Sequence, residues 1–389
     1  MSLDLSRFHA REAERAPVAR LAIVADHPRR TFPRDRTRNR NRPQMAEDLR
    51  EGLMLGMGNP LLDISANVDD KLLQKYDLKS NNAILAEEKH KPLYEEIIDL
   101  YNAEFTAGGS VQNTMRVAQW FLQKPRVATY MGCVGRDKYS KILEDKATGD
   151  GLNVRYQYTD REPTGTCAVL ITGKERSLCA NLAAANCFSP SHLEKPENKH
   201  LIDIARYIYI SGFFLTVSPA SIQTVAKHAY ENDKMFMMNL SAPFLCECFQ
   251  APMMAAFPYV DILFGNETEA DAFAKANGLN ASDRKQIALK ISEMEKINDK
   301  RKRVVVITQG AEAVLLAEDG TVTEYPVTKL SEEMVVDTNA AGDAFVGGFL
   351  AQLIQGRSTD TCVKCGIWAA TQIVQKSGCT YEGKPSFQS

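Results

Sequence analysis

The sequence predicts an α/β protein: a mainly parallel sheet flanked by helices on both faces, with a small β-rich lid. Three observations predict it. From residue 53 onward, apolar strand-like runs alternate with helical patterns, as they do in a parallel sheet joined by crossover helices. Polar residues collect just after those runs, where such sheets place their ligands. Two stretches break the alternation, and they supply the lid.

Taken in order, strand-like runs cover residues 53–58, 127–132, 207–212, 235–240, 261–265 and 304–308, and helical patterns cover 113–123, 137–146, 220–230, 267–276 and 284–295. The polar residues at the run ends are Asn59, Asn239, Asn266 with Glu267 and Glu269, Gln309 with Gly310, and the turn 337–343. The first break, 63–85, continues as Ile-Ser-Ala-Asn-Val before a short helical piece. The second, 164–182, alternates Cys167, Val169 and Ile171, then Leu178, Ala180 and Leu182, around Gly173. This is the pattern of a hairpin with one apolar face. The expected organisation is a leader over 1–48, a large domain of 49–62, 106–162 and 184–389, and a lid of 63–105 and 163–183.

Composition narrows the class. The chain has 389 residues, a net charge of −2 and the make-up of an ordinary globular protein. No apolar run approaches the ~20 residues of a membrane helix. Nine cysteines, an odd count scattered through apolar segments, fit reduced thiols better than a disulfide framework. Cys362 and Cys365 lie within the helical pattern 362–374 with no second ligand pair, so their spacing reads as helix packing. Residues 1–44 hold eleven Arg against five acids, net +6, which leaves −8 for the rest. That body has no general attraction for nucleic acid. The leader reads as disordered and dispensable, with the folded part starting near Met45, in a cytoplasmic protein whose Arg-rich leader leaves a nuclear pool open.

The most informative stretch is 335–350. Apolar Val335 and Val336 read as a strand end, the residues 337–342 as a turn, and Phe345, Phe349 and Leu350 as a helix face. Small Ala340, Ala341 and Gly342 would leave backbone N–H groups bare at the helix start, where the dipole favours an anion. Asp343 stands in the first turn. A carboxylate there is often only a favourable charge on the dipole, yet beside bare donors it can also take a hydroxyl proton while they hold a moving phosphate. No histidine falls in any of the motifs, so Asp343 is the best candidate base.

Three further segments carry chemistry. Gly108-Gly109-Ser110, followed by Asn113, is either a capped helix start or a place where backbone approaches a ligand and an amide bridges two hydroxyls. Asp63, after Gly58-Asn59-Pro60, offers a carboxylate suited to a vicinal diol. Neither a dinucleotide fingerprint nor a Walker A motif is present, since Pro60 interrupts one and no Ser or Thr completes the other. Asn266-x-x-Glu269 suits magnesium held partly through water, and equally suits a helix cap. Arg176, near the hairpin turn, is a candidate mobile cation over the phosphates.

Together, 337–349 and Gly108 to Asn113 resemble the two signatures of the ribokinase-like (PfkB) carbohydrate kinases. Segments at 56–63, 107–113, 164–167, 181–186, 212–219, 239–244 and 261–269 extend the resemblance from about residue 53 to the C-terminus. It implies a ribokinase-like fold, a monomer, and MgATP-dependent phosphorylation of the 5′-hydroxyl of adenosine. It implies that Asp343 is the base, that the amides of Ala341, Gly342 and Asp343 form an anion hole, and that Asp63, Gly108, Gly109, Ser110, Asn113 and Asn339 hold the ribose side of the substrate. Adenine would lie near Asn59, Leu85, Cys167, Leu182 and Phe214. ATP would lie over Asn239, Asn266, Thr308, Gly310, Ala340, Ile367 and Ala370, with Asn266 and Glu269 ordering magnesium and a monovalent cation near the carbonyls of Asp337 and Thr338.

One departure stands out. Members acting on adenosine usually carry Gly-Ala-Gly-Asp where this chain has Ala340-Ala341-Gly342-Asp343. If residue 340 adopts positive φ, its methyl costs about 1 kcal/mol. Two other readings compete: a related sugar or nucleoside kinase, and a non-catalytic binding protein whose leader engages RNA or an acidic partner. Phe213, Phe214 and Phe244 argue against a free sugar, since a flat base gains from apolar burial. Asp343 with the magnesium motif argues against the non-catalytic reading.

Overall fold

A computed structural model of the chain describes residues 48–388, except Asn81 and Lys174. Apart from Asp48, the expected leader lies outside the described residues.

Two sheets organise these residues. The chain enters the larger one with β1 (Met54–Met57), then leaves it for β2 (Leu61–Asn67), β3 (Ala83–Leu85) and β4 (Glu104–Gly108). It returns with β5 (Ala128–Gly135) and β6 (Asn153–Thr159) and leaves again for the hairpin of β7 (Thr166–Thr172) and β8 (Glu175–Asn181). The larger sheet is completed by β9 (Tyr207–Ser211), β10 (Met235–Asn239), β11 (Ile262–Asn266), β12 (Val304–Gln309), β13 (Glu312–Glu318) and β14 (Thr321–Tyr325). Its order is β14-β13-β12-β11-β10-β9-β1-β5-β6, and pairing is parallel except at β12/β13 and β13/β14. From β1 the chain builds outward in both directions, so the order reverses between β1 and β9, the place where such sheets open a ligand crevice.

The larger sheet is buried on both faces. Met54, Tyr130, Tyr209, Phe264 and Val306 pack on one side with the helices Ser110–Leu122, Ala341–Ile354 and Thr359–Ile373. Leu55, Ile208, Met238, Leu263 and Ile307 pack on the other. Burial from both sides explains why these strands read as continuous apolar runs. Each expected run and helical pattern corresponds to an element displaced by only a few residues. Glycines permit the close helix packing near the reversal: a Cβ on Gly347 would lie 2.7 Å from Cβ of Val117, and one on Gly348 2.8 Å from Cβ of Ala369.

The smaller sheet runs β3-β8-β7-β2-β4. It takes in residues 61–67 and 104–108, so it begins before residue 63 and reaches past residue 105. The hairpin expectation needs correction, because its strands are apolar on both faces. Cys167 and Val169 join Leu61, Leu182 and Ala185 on one side. Ala168, Leu170 and Cys179 pack with Leu72, Leu93 and Ile97, from the helices Asp70–Lys75 and Lys91–Leu100, on the other. The strand expected at Val335 and Val336 is also absent. Val336 is exposed, and the N–H groups of Val336 and Asp337 donate to the carbonyl of Val374, which ties this loop to the end of the Thr359–Ile373 helix. All nine cysteines are free, Cys362 and Cys365 being buried in that helix. Among the described residues no helix is long and apolar enough to cross a membrane.

Candidate active site

Two helix starts meet at one carboxylate. Helix Ala341–Ile354 begins on Ala340, whose φ of +61° and ψ of 4° put a side-chain-bearing residue in the left-handed region. No side chain caps this helix, and among the described residues no protein acceptor takes the N–H of Gly342 or Asp343. The N–H of Ala341 is partly engaged, donating to the Thr338 carbonyl at 3.3 Å. Facing this tip is the start of helix Ser110–Leu122. Ser110 Oγ donates to Asp343 Oδ1 at 2.7 Å and Asn113 Nδ2 donates to Oδ2 at 3.1 Å. Burial pushes the Asp343 carboxyl up to about 6, and these two donors hold it from rising further.

Asp63 enters from β2. Gly108 makes room for it, since a Cβ there would lie 2.2 Å from Asp63 Oδ2. Gly109 follows with φ +93°, and a Cβ on it would meet the Asn59 carbonyl at 2.3 Å. Burial, then the negative charges of Asp343 and Asp337, raise the Asp63 carboxyl to about 8. Two buried acids, Asp63 and Asp343, facing one opening are costly to the bare protein, which is the mark of a site built for a ligand.

These groups line a cavity of about 350 Å³ between the two sheets. It contains Asn59, Asp63, Leu85, Gly109, Ser110, Asn113, Cys167, Leu182, Asn239, Asn266, Glu269, Thr308, Asn339, Ala340, Gly342 and Asp343, brought together from all parts of the described chain. Gly108 and Ala341 sit directly beside it in sequence. One end is apolar, with Leu61, Leu178, Phe213 and Phe244 added to the expected residues. Asn59 donates to the Phe213 carbonyl at 3.4 Å, while its buried Oδ1 has no partner among the described residues.

Several expectations are corrected. Phe214 does not face the cavity: it is fully buried against Phe188, at 5.1 Å between ring centroids, and Phe213 faces the opening instead. The 3₁₀ turn Gly212–Thr216 sets that phase. Gly310, Ile367 and Ala370 lie outside the cavity lining. Arg176 does not reach over the cavity. It is buried, with Nε on Asp337 Oδ1 at 3.1 Å and Nη2 on the Val336 carbonyl at 2.5 Å, so it ties the β7–β8 hairpin to the loop before Ala341. Missed residues include Ser211, Ser241, Phe264, Val306 and Val346. Their position at the end of β9 and just after β10 was a usable signal for Ser211 and Ser241; the apolar ones carried none.

Asn266 and Glu269 form a capping box, with Glu269 N–H donating to Asn266 Oδ1 at 2.9 Å and Asn266 N–H to Glu269 Oε2 at 3.0 Å. Burial lifts the Glu269 carboxyl to about 7. A buried carboxylate with no paired cation among the described residues fits a divalent cation held through water. The Asp337 carboxylate is fully engaged within the protein. Its Oδ1 accepts from Arg176 and from the Asn339 N–H, and its Oδ2 from the Gly378 N–H.

The model of the pfkB family carbohydrate kinases matches residues 70–386. Adenosine kinase 2 of Arabidopsis thaliana is 55% identical over 337 residues, covering 87% of this chain and 98% of its own. Among solved structures, Anopheles gambiae adenosine kinase in complex with P1,P4-di(adenosine-5) tetraphosphate is similar with a TM-score of 0.85 and 58% identity, over 87% of this chain and all of that one. Schistosoma mansoni adenosine kinase in complex with 2-fluoroadenosine gives a TM-score of 0.84 at 37% identity, over 87% of this chain and 100% of the other.

Proposed function

This chain belongs to the pfkB family of carbohydrate kinases, and from that premise we propose that it is an adenosine kinase. It is an ATP-dependent nucleoside kinase that transfers the γ-phosphate to the 5′-hydroxyl of adenosine, giving AMP and ADP. The observation that carries the mechanism is one carboxylate, Asp343, set among bare helix-tip amides and facing a cavity with an apolar end.

Adenine enters the apolar end, against Leu85, Cys167, Leu182 and Phe213. The ribose hydroxyls meet Asp63 and Asn113, whose acceptor and donor groups suit a diol. This leaves the 5′-hydroxyl toward Asp343, which takes its proton as the oxygen attacks phosphorus. The N–H groups of Gly342 and Asp343, with the helix dipole behind them, hold the transferring phosphoryl oxygens. Asn266 and Glu269 would hold magnesium through water, and the ion supplies charge neutralisation on the ATP phosphates. No step runs through a monovalent cation.

The smaller sheet acts as a lid. Its Leu85, Cys167, Leu178 and Ala180 form one wall of the cavity, so its approach excludes water that would otherwise accept the phosphate. Arg176 then has a coupling role: it links that lid to the loop carrying the anion hole.

The test is direct. Purified full-length chain with MgATP is offered adenosine, inosine, ribose and fructose in parallel, with ADP formation as the readout. Adenosine is expected to be preferred; an enzyme that leaves adenosine untouched while phosphorylating a sugar sinks the reading.

A further inference from the structure

We propose that Arg116 is a positioning residue for this reaction: it fixes which end of the Asn113 amide faces the Asp343 carboxylate. The proposal rests on the adenosine kinase reading above.

Arg116 lies one turn after Asn113 and is 1% exposed. Its guanidinium is held on every side. Nε donates to Asp150 Oδ2 at 2.6 Å, Nη1 to the Ala107 carbonyl at 3.3 Å and to Asn113 Oδ1 at 3.2 Å, and Nη2 to the Cys379 carbonyl at 3.2 Å. The Tyr381 ring lies 5.8 Å from it, and the Tyr381 hydroxyl donates to the Arg116 carbonyl at 3.0 Å. A planar group tied at three nitrogens cannot turn away.

The consequence follows from donor and acceptor counting. A guanidinium has donors and no acceptor, so it can meet only the oxygen of the Asn113 amide. The nitrogen end is then left for Asp343 Oδ2, where it stands at 3.1 Å. An Asn113 without Arg116 would be free to turn over and present its oxygen to the carboxylate. A charge-assisted hydrogen bond would be replaced by repulsion, and the base would hold its proton more tightly.

The setting makes this bond matter. Asp343 is faced by Ser110 and Asn113 from helix Ser110–Leu122, by Asp63 on β2, Tyr209 on β9, Glu269 in helix Glu267–Ala276, and Cys379 in the C-terminal segment. Ser110 and Asn113 are the neighbours that donate to it, and its negative charge in turn raises the Asp63 and Glu269 carboxyls. Asn113 is the one of these two donors that itself accepts from a buried cation among the described residues.

The experiment compares the full-length chain with Arg116→Met and with the double variant Arg116→Met/Asp150→Asn, which also removes the carboxylate that Arg116 shares with Lys146. kcat/KM for adenosine is measured from pH 5 to 8 at saturating MgATP, with thermal unfolding as the check on folding. The acid limb is expected to move up by about one pH unit, so that activity falls roughly fivefold at pH 6 and recovers toward pH 8, with the KM for ATP unchanged. A merely structural role lowers stability or activity equally at all pH values, and that result in a folded variant overturns the proposal. If neither variant folds, Arg116 is a structural residue and the proposal falls. A wild-type chain inactive on adenosine would instead remove the reading on which it rests.

Discussion

Asp343 combines three demands in one side chain: it must be buried enough to be basic, ionised near neutrality, and close to the amides that hold phosphate. Burial supplies the first, Ser110 and Asn113 the second, and its place in the first helical turn the third. Asp343→Asn keeps the shape and loses the proton acceptor. Turnover should fall by about 10²-fold to 10⁴-fold, with unfolding temperature preserved or raised; near-normal turnover would remove it as the base. The pH dependence has a defined sign. With the carboxyl raised to about 6, the ionised base is lost as pH drops, so kcat/KM for adenosine should fall below pH ~6 and flatten above it. Ala340 is the second residue with a specific cost, because its φ of +61° suits glycine. Ala340→Gly relieves that strain but gives up a buried methyl. The expected gain is no more than about 1 kcal/mol in chemical denaturation, with turnover equal to or above wild type. A loss of stability would mean that the methyl's packing outweighs the strain.

Elements place these residues, and here the sequence was uneven as a guide. The parallel strands and their helices were legible because burial on both faces leaves long apolar runs broken by polar ends. The Gly108 to Asn113 turn and the Asp337 to Asp343 turn were legible because small residues and a helix pattern stand side by side. What stayed hidden was relative placement. Nothing local to Ser110 or Asn113 announces that a carboxylate 230 or more positions away will accept from both, or that Arg176 will pair with Asp337 across 161 positions. The phase of a short 3₁₀ turn was equally invisible, so Phe213 and Phe214 could not be told apart. Val335 and Val336 read as a strand on apolar character alone, although the N–H of Val336 pairs with a helix end. The close packing of helix Ala341–Ile354 on helix Ser110–Leu122 is itself testable through Gly347. A Cβ there would lie 2.7 Å from Val117 Cβ and 2.8 Å from the Thr114 carbonyl. Gly347→Ala must therefore push the two helices apart at the point that aligns Asp343 with Asn113. It should cost about 1–3 kcal/mol of stability and lower kcat, while an unchanged kcat would show that the carboxylate tolerates the shift.

At the scale of the whole molecule, the cavity stores a conflict between stability and function. Asp63 is raised to about 8, Glu269 to about 7 and Asp343 to about 6, each chiefly by burial. Each carboxyl therefore binds its proton more tightly in the folded protein than in the unfolded chain, where carboxylates titrate near pH ~4. The linkage sign follows: the stability these groups supply is present below that pH and is lost as pH rises through their folded values. The protein without substrate should thus become less stable between pH 5 and pH 8 as far as these three groups decide it. Asp63 is the group on which to test this, since it carries the largest shift and faces both Asp343 and Asp337. Asp63→Asn mimics the protonated carboxyl. At pH 5 it should change the unfolding temperature little, whereas at pH 8 it should raise it by several degrees, because a buried charge has been removed from a cluster of like charges. The same variant loses an acceptor for the ribose hydroxyls, so added adenosine should stabilise it far less than it stabilises the wild type. Thermal unfolding of both proteins at the two pH values, with and without adenosine, separates the outcomes: an equal effect of the substitution at pH 5 and pH 8 would show that Asp63 is already ionised and tolerated in the folded state.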